Sequence, residues 1–439
     1  MNKTAPQFAR LFPGSFVSMQ LYQTILAVAA VIIFFSGLPL SLFALGVLDF
    51  PPAVWVISFG ILAFPPVISS ALFRIKYVLP MVIWCFAFLI VSMVWFFIGH
   101  PSSLALEGFQ YRFITVGTLL SVVFILLSTS SLFYARMSAA ICLFLSVCLN
   151  IYDLLNPYTI GFLPGRASGL YLNPNTSAEA LVLGMLICVT QLSPTLRIWF
   201  VHIIGIGVLT TFSRAGLLAY AVSVIGLMVC RLISPGAFFV TLCSAVLLGG
   251  LATVTQNWET LLEGWDQAGL VSSTEIIDVI TERITWFTDP GTSDGAMTER
   301  LEGAQQAWQL FSDHPFLGGG TGTNFDTWAQ SDEFRKPGPH NIFLWLMVDH
   351  GIIGALIFPA LLMAIGWKAK RESRTFMVIV FCVLILMGFS SHNLLDGRHI
   401  LFSLGVLTAM VAQADKRSWD KSGERRNVSL SDTASCASA

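Results

Sequence analysis

Pro339-His340-Asn341-Ile342-Phe343-Leu344-Trp345, followed by Gly351-Ile352-Ile353-Gly354, marks where the chain's one long polar segment gives way to apolar sequence. Outside that segment the chain is overwhelmingly apolar. Of 439 residues, 55% are hydrophobic and 11% charged, with a mean hydropathy of +0.75. Soluble domains carry about 25% charged residues, and a spanning helix needs roughly 20 mostly apolar ones. The composition implies an all-α, polytopic membrane protein. A transmembrane barrel alternates over strands of about ten residues, and the unbroken Leu, Ile, Val and Phe runs exclude it.

The apolar runs predict about 12 transmembrane helices, at 20–48, 53–72, 78–99, 110–128, 133–152, 176–192, 196–210, 213–231, 235–254, 340–367, 374–391 and 396–413. Gly37 and Pro39 predict a kink in the first. Residues 1–254 form a membrane region of about nine spans and 340–413 one of about three. Between them lies one large loop, 255–339, and after them a polar tail, 414–439, expected to be disordered. Lys3 and Arg10 precede an apolar run with no small-residue cleavage site, so it reads as an uncleaved first helix.

Basic residues test this count, because they collect on the cytoplasmic side. With the N-terminus inside, 16 of the 24 Lys and Arg fall in inside segments, and every inside connection holds at least one. Both termini are therefore expected in the cytoplasm and the large loop in the periplasm. Net charge −1 says nothing of partners, since the charges are segregated by side. Seven of the eight cysteines lie in apolar runs and Cys436 in the tail, so no disulfide framework or metal-binding spacing is implied.

The outside basic residues are then the informative ones. Arg112, Arg166, Arg214 and Arg398 sit at or near helix ends against the orienting rule, where such residues bind something or pair internally. Arg112 reads as a structural pair. Arg214, in Thr211-Phe212-Ser213-Arg214-Ala215-Gly216, joins two apolar runs with almost no loop, so its planar fork of donors sits at the membrane boundary, suited to phosphate oxygens. Arg166 and Tyr171 precede Asn173-Pro174-Asn175-Thr176-Ser177, which leads into a helix with Asn175 or Thr176 as its expected N-cap.

The large loop holds 14 acidic residues. Residues 298–311 carry apolar side chains at 301, 304, 308 and 311, a helical spacing with Arg300 near its start and His314-Pro315 at its end. A second amphipathic stretch, 256–287, carries Trp258, Trp265 and Trp286. Gly318-Gly319-Gly320-Thr321-Gly322 offers backbone amides to an anion or a sugar, with a simple turn as the competing reading. It also serves as the expected hinge of a lid over the site. His340 titrates near neutrality and sits where the loop re-enters the bilayer, as a proton acceptor would. His392, Asp396, Arg398 and His399 crowd the last outside turn, where Asp396 either orients His340 or pairs with an arginine.

These residues resemble the O-antigen ligase family, which includes related polymerases and protein O-oligosaccharyltransferases. The resemblance rests on Ser213-Arg214-Ala215-Gly216, Arg166 with Asn173-Pro174-Asn175, Arg300 ahead of His314-Pro315-Phe316-Leu317-Gly318, and above all His340-Asn341 followed by Gly351 and Gly354. It covers roughly 160–400. It implies a glycosyltransferase of the bacterial inner membrane that works on the periplasmic side with no metal or other cofactor. Its partners would be membrane lipids, a glycan on undecaprenyl diphosphate as donor, and the lipid A core as acceptor; nucleic acid would have no part. The resemblance makes His340 catalytic with Asp396, and makes Arg214, Arg300 and Arg166 diphosphate-binding. Asn341, Gly319, Gly320 and Arg398 are further substrate contacts by position. A twelve-helix transporter is the rival class, but transporters place ionisable groups near the midplane, whereas here they lie at the outer edge. Oligomeric state is not legible.

Overall fold

The computed structural model describes residues 13–99, 102–156, 160–161, 166–240, 242–243, 295–329 and 338–415. Among them every regular element is helical. In order these are α1 (Pro13–Ala30), a π turn (Val31–Phe35), α2 (Leu38–Ala44), α3 (Pro52–Ile98), α4 (Ser103–Leu126), α5 (Thr129–Leu155), α6 (Pro174–Val189), α7 (Pro194–Thr210), α8 (Arg214–Val229), α9 (Gly295–Asp313), α10 (Thr323–Ala329), α11 (Ile342–His350), α12 (Gly354–Gly366), α13 (Arg371–Gly388) and a last helix, α14, over 398–415. The chain is an all-α polytopic membrane protein. Among the described residues, α3, α4, α5 and the segment Ile342–Gly366 are each long and apolar enough to span a bilayer. A fifth candidate is the bent pair Met19–Phe35 and Leu38–Ala44, which meet at 48°. Gly37, at φ +73°, makes that bend, and a Cβ there would meet the Leu170 carbonyl oxygen at 2.6 Å. Most of the expected 235–254 span, the 256–287 stretch and the tail from 416 lie outside the described residues.

The expected spans 53–72 and 78–99 are both contained in α3, which is helical over 47 residues. Straight, it would be about 70 Å long, more than twice the ~30 Å hydrocarbon core. Its contacts bend it instead. Its first half runs antiparallel to α1, with Gln23 donating to Ser70 and Phe34 edge-on to Phe59. Its second half runs antiparallel to α11 and α12, through Trp84 to the Ile357 carbonyl and Trp95 beside His350. Residues 70–77 therefore lie at one end of the bundle, and Phe59 and Trp95 toward the other. Proline inside a helix removes an i to i−4 hydrogen bond and leaves a carbonyl bare. Pro66 frees the Leu62 carbonyl, which accepts from the Tyr22 hydroxyl at 2.7 Å. Pro80 frees the Lys76 carbonyl, which accepts from Lys368 Nζ.

α6 is buried on every face from Ser177 to Val189, as befits a helix that is apolar all round. Two arginines at its far end replace the missing intrahelical donors. Arg136 Nε donates to the Ile187 carbonyl at 2.6 Å and Arg197 Nε to the Val189 carbonyl at 3.1 Å. The loop helix α9 forms where expected. Gly303, Ala307 and Phe311 are buried, while Leu301 and Trp308 are exposed. The small residues let α9 lie close against the rest of the protein, and Leu301 and Trp308 are left on its outer side.

Candidate active site

The apolar span after the loop is broken. α11 ends at His350, Gly351 takes φ +62° and ψ −152°, and α12 restarts at Gly354. Neither glycine tolerates a side chain. A Cβ on Gly351 would lie 2.4 Å from the Phe316 carbonyl oxygen, and one on Gly354 would lie 2.0 Å from that of Leu346. The break leaves helix-terminal carbonyls without intrahelical donors, and the glycine-rich loop supplies them. Gly319 N–H donates to Val348 O at 2.8 Å and Gly320 N–H to Asp349 O at 3.0 Å. In return Ile352 N–H donates to Pro315 O at 2.9 Å.

The amides of Gly319 and Gly320 therefore close the broken helix, as in the turn reading of this segment. Thr321 donates to the Ser92 carbonyl, and Cβ atoms on Gly320 and Gly322 would strike the backbones of Gly99 and Ala105.

Directly beneath the loop lies a charge cluster around Arg112, whose partner Asp349 the sequence reading did not single out. Arg112 is 1% exposed and lies 3.4 Å from Asp349 and 3.6 Å from Asp396. Its guanidinium also faces the Phe88 ring at 5.6 Å. Asp349 further accepts from the backbone amide and the side-chain amide of Asn324. Asp396 thus pairs with an arginine rather than with His340, and the arginine is Arg112. Asp349 stands in an apolar run nine residues after His340, where an ionisable residue is itself a signal. Glu179 on α6 is a second such residue, and it faces His399 at 3.5 Å.

His340 stands just before α11 in the left-handed region, φ +45°, where histidine is among the side chains that occur more often. Asn341 caps the helix, its Oδ1 accepting from the amides of Phe343 and Leu344, so that oxygen is engaged within the fold. His392 packs edge-on to His340, ring centroids 5.3 Å apart, and stacks on Trp345 at 4.8 Å. Burial and then the charge of Arg300 hold His340 below its ordinary pKa. Burial, followed by the charge of His340, holds His392 down at about 4. Both rings are therefore neutral near pH 7, and Arg300 is close enough to act on His340.

A second group forms around Asn175. Arg166 donates to Asn175 Oδ1 at 3.1 Å and to the Thr211 carbonyl at 3.3 Å, and Ser213 donates to the same Oδ1 at 2.8 Å. Ser213 caps α8 and Arg214 is its first residue, exposed. Asp153 accepts from the amides of Gly161, Ser168 and Gly169 and so fixes the segment carrying Arg166. Arg398 opens α14 beside Asp396, and its charge and that of Asp396 both act on Tyr111. The two groups share one end of the bundle, linked by Glu179 to His399. Among the described residues, no three His, Cys, Asp or Glu side chains are placed to hold a metal.

Residues 199–359 match the family described as O-antigen ligase. That stretch, somewhat over a third of the chain, is similar to the O-antigen ligase family. The match takes in Arg214, Arg300, His340, Gly351 and Gly354, and leaves Arg166, Asp396 and Arg398 outside it. No curated protein matches the sequence. The match supports glycosyl transfer of the O-antigen ligase or polymerase type by a multi-pass membrane protein. The broken span with its glycine clasp carries His340 to the end of the bundle.

Proposed function

We propose that this chain moves an O-antigen glycan from undecaprenyl diphosphate to a sugar hydroxyl of the lipid A core, with His340 as general base. The observation that carries this reading is the placement of His340. It is a neutral imidazole on a constrained residue at the mouth of a broken span, with a cation beside it. The acceptor hydroxyl gives its proton to His340 while its oxygen attacks the anomeric carbon. The bond from that carbon to the diphosphate oxygen breaks, and the diphosphate leaves with the electron pair. Arg300, Arg214 and Arg166 hold the developing charge, which fixed donors stabilise best where water is excluded. One displacement inverts the anomeric carbon. His392 stays neutral, supports the His340 ring and adds no charge. Asp396, held by Arg112, fixes the turn that carries His392. The site faces the periplasm and both termini the cytoplasm.

Purified His340→Ala should insert and fold normally and lose about 10²- to 10⁴-fold in transfer rate. Near-wild-type transfer would refute the assignment. The same assay run with lipid A core, a second lipid-linked glycan or a pilin peptide separates ligase from polymerase from protein glycosylation.

A further inference from the structure

The end of the bundle remote from His340 carries a cationic cleft that glycosyl transfer does not use. From Arg112, α4 descends about 22 Å to Leu127. There Leu127 meets Arg74, Tyr77, Ala412 and Gln413 around a small cleft of about 30 Å3, open on one side. The Nη1 of Arg74 is buried and has no hydrogen-bond partner. A guanidinium presents five donors and no acceptor, and a charge withdrawn from water in this way needs a counter-group. Among the described residues the nearby carboxylate, Asp415, pairs with Lys370 at 3.2 Å.

The surroundings reinforce the positive charge. Lys76 Nζ lies 5.1 Å above the Tyr77 ring, and Lys368 is tied to the Lys76 carbonyl. Gln413, on the opposite wall, is steadied by its own hydrogen bond to the Leu126 carbonyl at 3.4 Å. Leu72, Phe73 and Ile75, which flank Arg74 in sequence, are exposed. A cation fork inside a cleft, with exposed apolar side chains running away from it, has the form of a headgroup pocket with an acyl track.

We propose that the Arg74 cleft binds a phosphate-ester anion, the headgroup of an anionic phospholipid. The Arg74 fork takes the phosphate oxygens, Lys76 lends charge, and the acyl chains lie on Leu72, Phe73 and Ile75. The apolar track favours a lipid over a free ion. The site does not depend on the glycosyl-transfer reading.

The full chain, purified in mild detergent and washed free of lipid, provides the test. Its thermal unfolding is followed against phosphatidylglycerol, phosphatidylcholine of equal chain length, and inorganic phosphate. A ligand that binds only the folded state raises the midpoint with concentration. Phosphatidylglycerol is expected to raise it by several degrees, and the other two by far less. Arg74→Gln should lose most of that rise, and Arg74→Lys part of it. Arg374→Gln, which removes an exposed cation at the same end without touching the cleft, should keep it. If Arg74→Gln fails to fold, Arg74→Lys and Gln413→Leu carry the test, and each should give a reduced rise. An undiminished rise in the cleft variants overturns the site. An equal rise from inorganic phosphate overturns the lipid.

Discussion

Replacing Arg112 by methionine removes the only cation that faces Asp349 and Asp396 among the described contacts. The volume is nearly kept, so the effect is electrostatic. At 3.4 Å and 3.6 Å, and with an effective dielectric constant of about 20, each pair is worth about 5 kcal/mol of direct attraction. Bringing the charges out of water offsets much of this. The quantity that matters is the cost of leaving carboxylates buried without a counter-charge, about 3–5 kcal/mol for a broken buried pair. Asp349 is completely buried and receives the full effect; Asp396 keeps some solvent contact and less is lost there. A net loss of about 3 kcal/mol is more than a hundredfold in the folding equilibrium constant, within a typical total of about 5–15 kcal/mol. The assay is a denaturant titration of purified protein, read by intrinsic tryptophan fluorescence. Arg112→Met should lose that stability, and Arg112→Met with Asp349→Asn should regain a large part, since the double variant no longer strands a buried carboxylate. Arg112→Lys should fall between, because a point charge spans two carboxylates less well than a fork. A stable Arg112→Met, or a double variant no better than the single, would refute this account of the cluster.

Other outcomes follow from the same geometry. Arg300 lowers the pKa of His340, and a general base works only when unprotonated, so transfer is retained above the folded-state pKa and lost as pH falls through it. Arg300→Gln should raise that pKa and move the acid limb of the kcat/KM profile to higher pH, yet leave it below the ordinary histidine value because burial remains; an unmoved limb would show that Arg300 does not act on the base. Gly351→Ala must place a Cβ 2.4 Å from the Phe316 oxygen at φ +62°, and should cost more than the roughly 1–3 kcal/mol of backbone strain alone. Gly46→Ala, at φ +68° but with nothing within 4 Å, should cost only about 1–2 kcal/mol, and equal losses in the two would remove the steric argument. Arg214→Lys keeps the charge but not the fork, so donor KM should rise, and an unchanged KM and kcat would take Arg214 out of the diphosphate site.

The helices were legible because each announces itself locally, through an apolar run with a capping residue or a proline at its start. The α6 start was expected with Asn175 or Thr176 as cap; Asn173 takes that role, because Pro174 fits the first turn and the Asn173 side chain reaches the amides of Asn175 and Thr176. The glycine-rich loop was left between an anion contact and a turn because its amide partners, Val348 and Asp349, come from a helix that only the fold brings beneath it. The packed face of α9 was not legible either: periodicity ranks side chains by hydrophobicity, whereas close approach selected Gly303 and Ala307 and left Trp308 outside. Arg112 was noticed as an outlier and taken as a structural pair, which it is; its partners, 237 residues away in one case, were not readable from spacing. His392 joined His340 through packing alone, and no local pattern records that contact.

Pro66 and Pro80, two of the prolines inside the long third helix, differ in when their repair arrives. Tyr22, which caps the carbonyl opposite Pro66, is made before that carbonyl exists. Lys368, which caps the carbonyl opposite Pro80, follows it by 292 residues. At a synthesis rate of about 5–20 residues per second, that is a wait of roughly 15–60 s. Through that interval the Lys76 carbonyl must be satisfied by water or lipid headgroups. The contact at Leu62 can thus form during insertion, whereas the one at Lys76 is completed only when the α12–α13 turn reaches the bilayer. A segment made early in synthesis is among the last to finish folding.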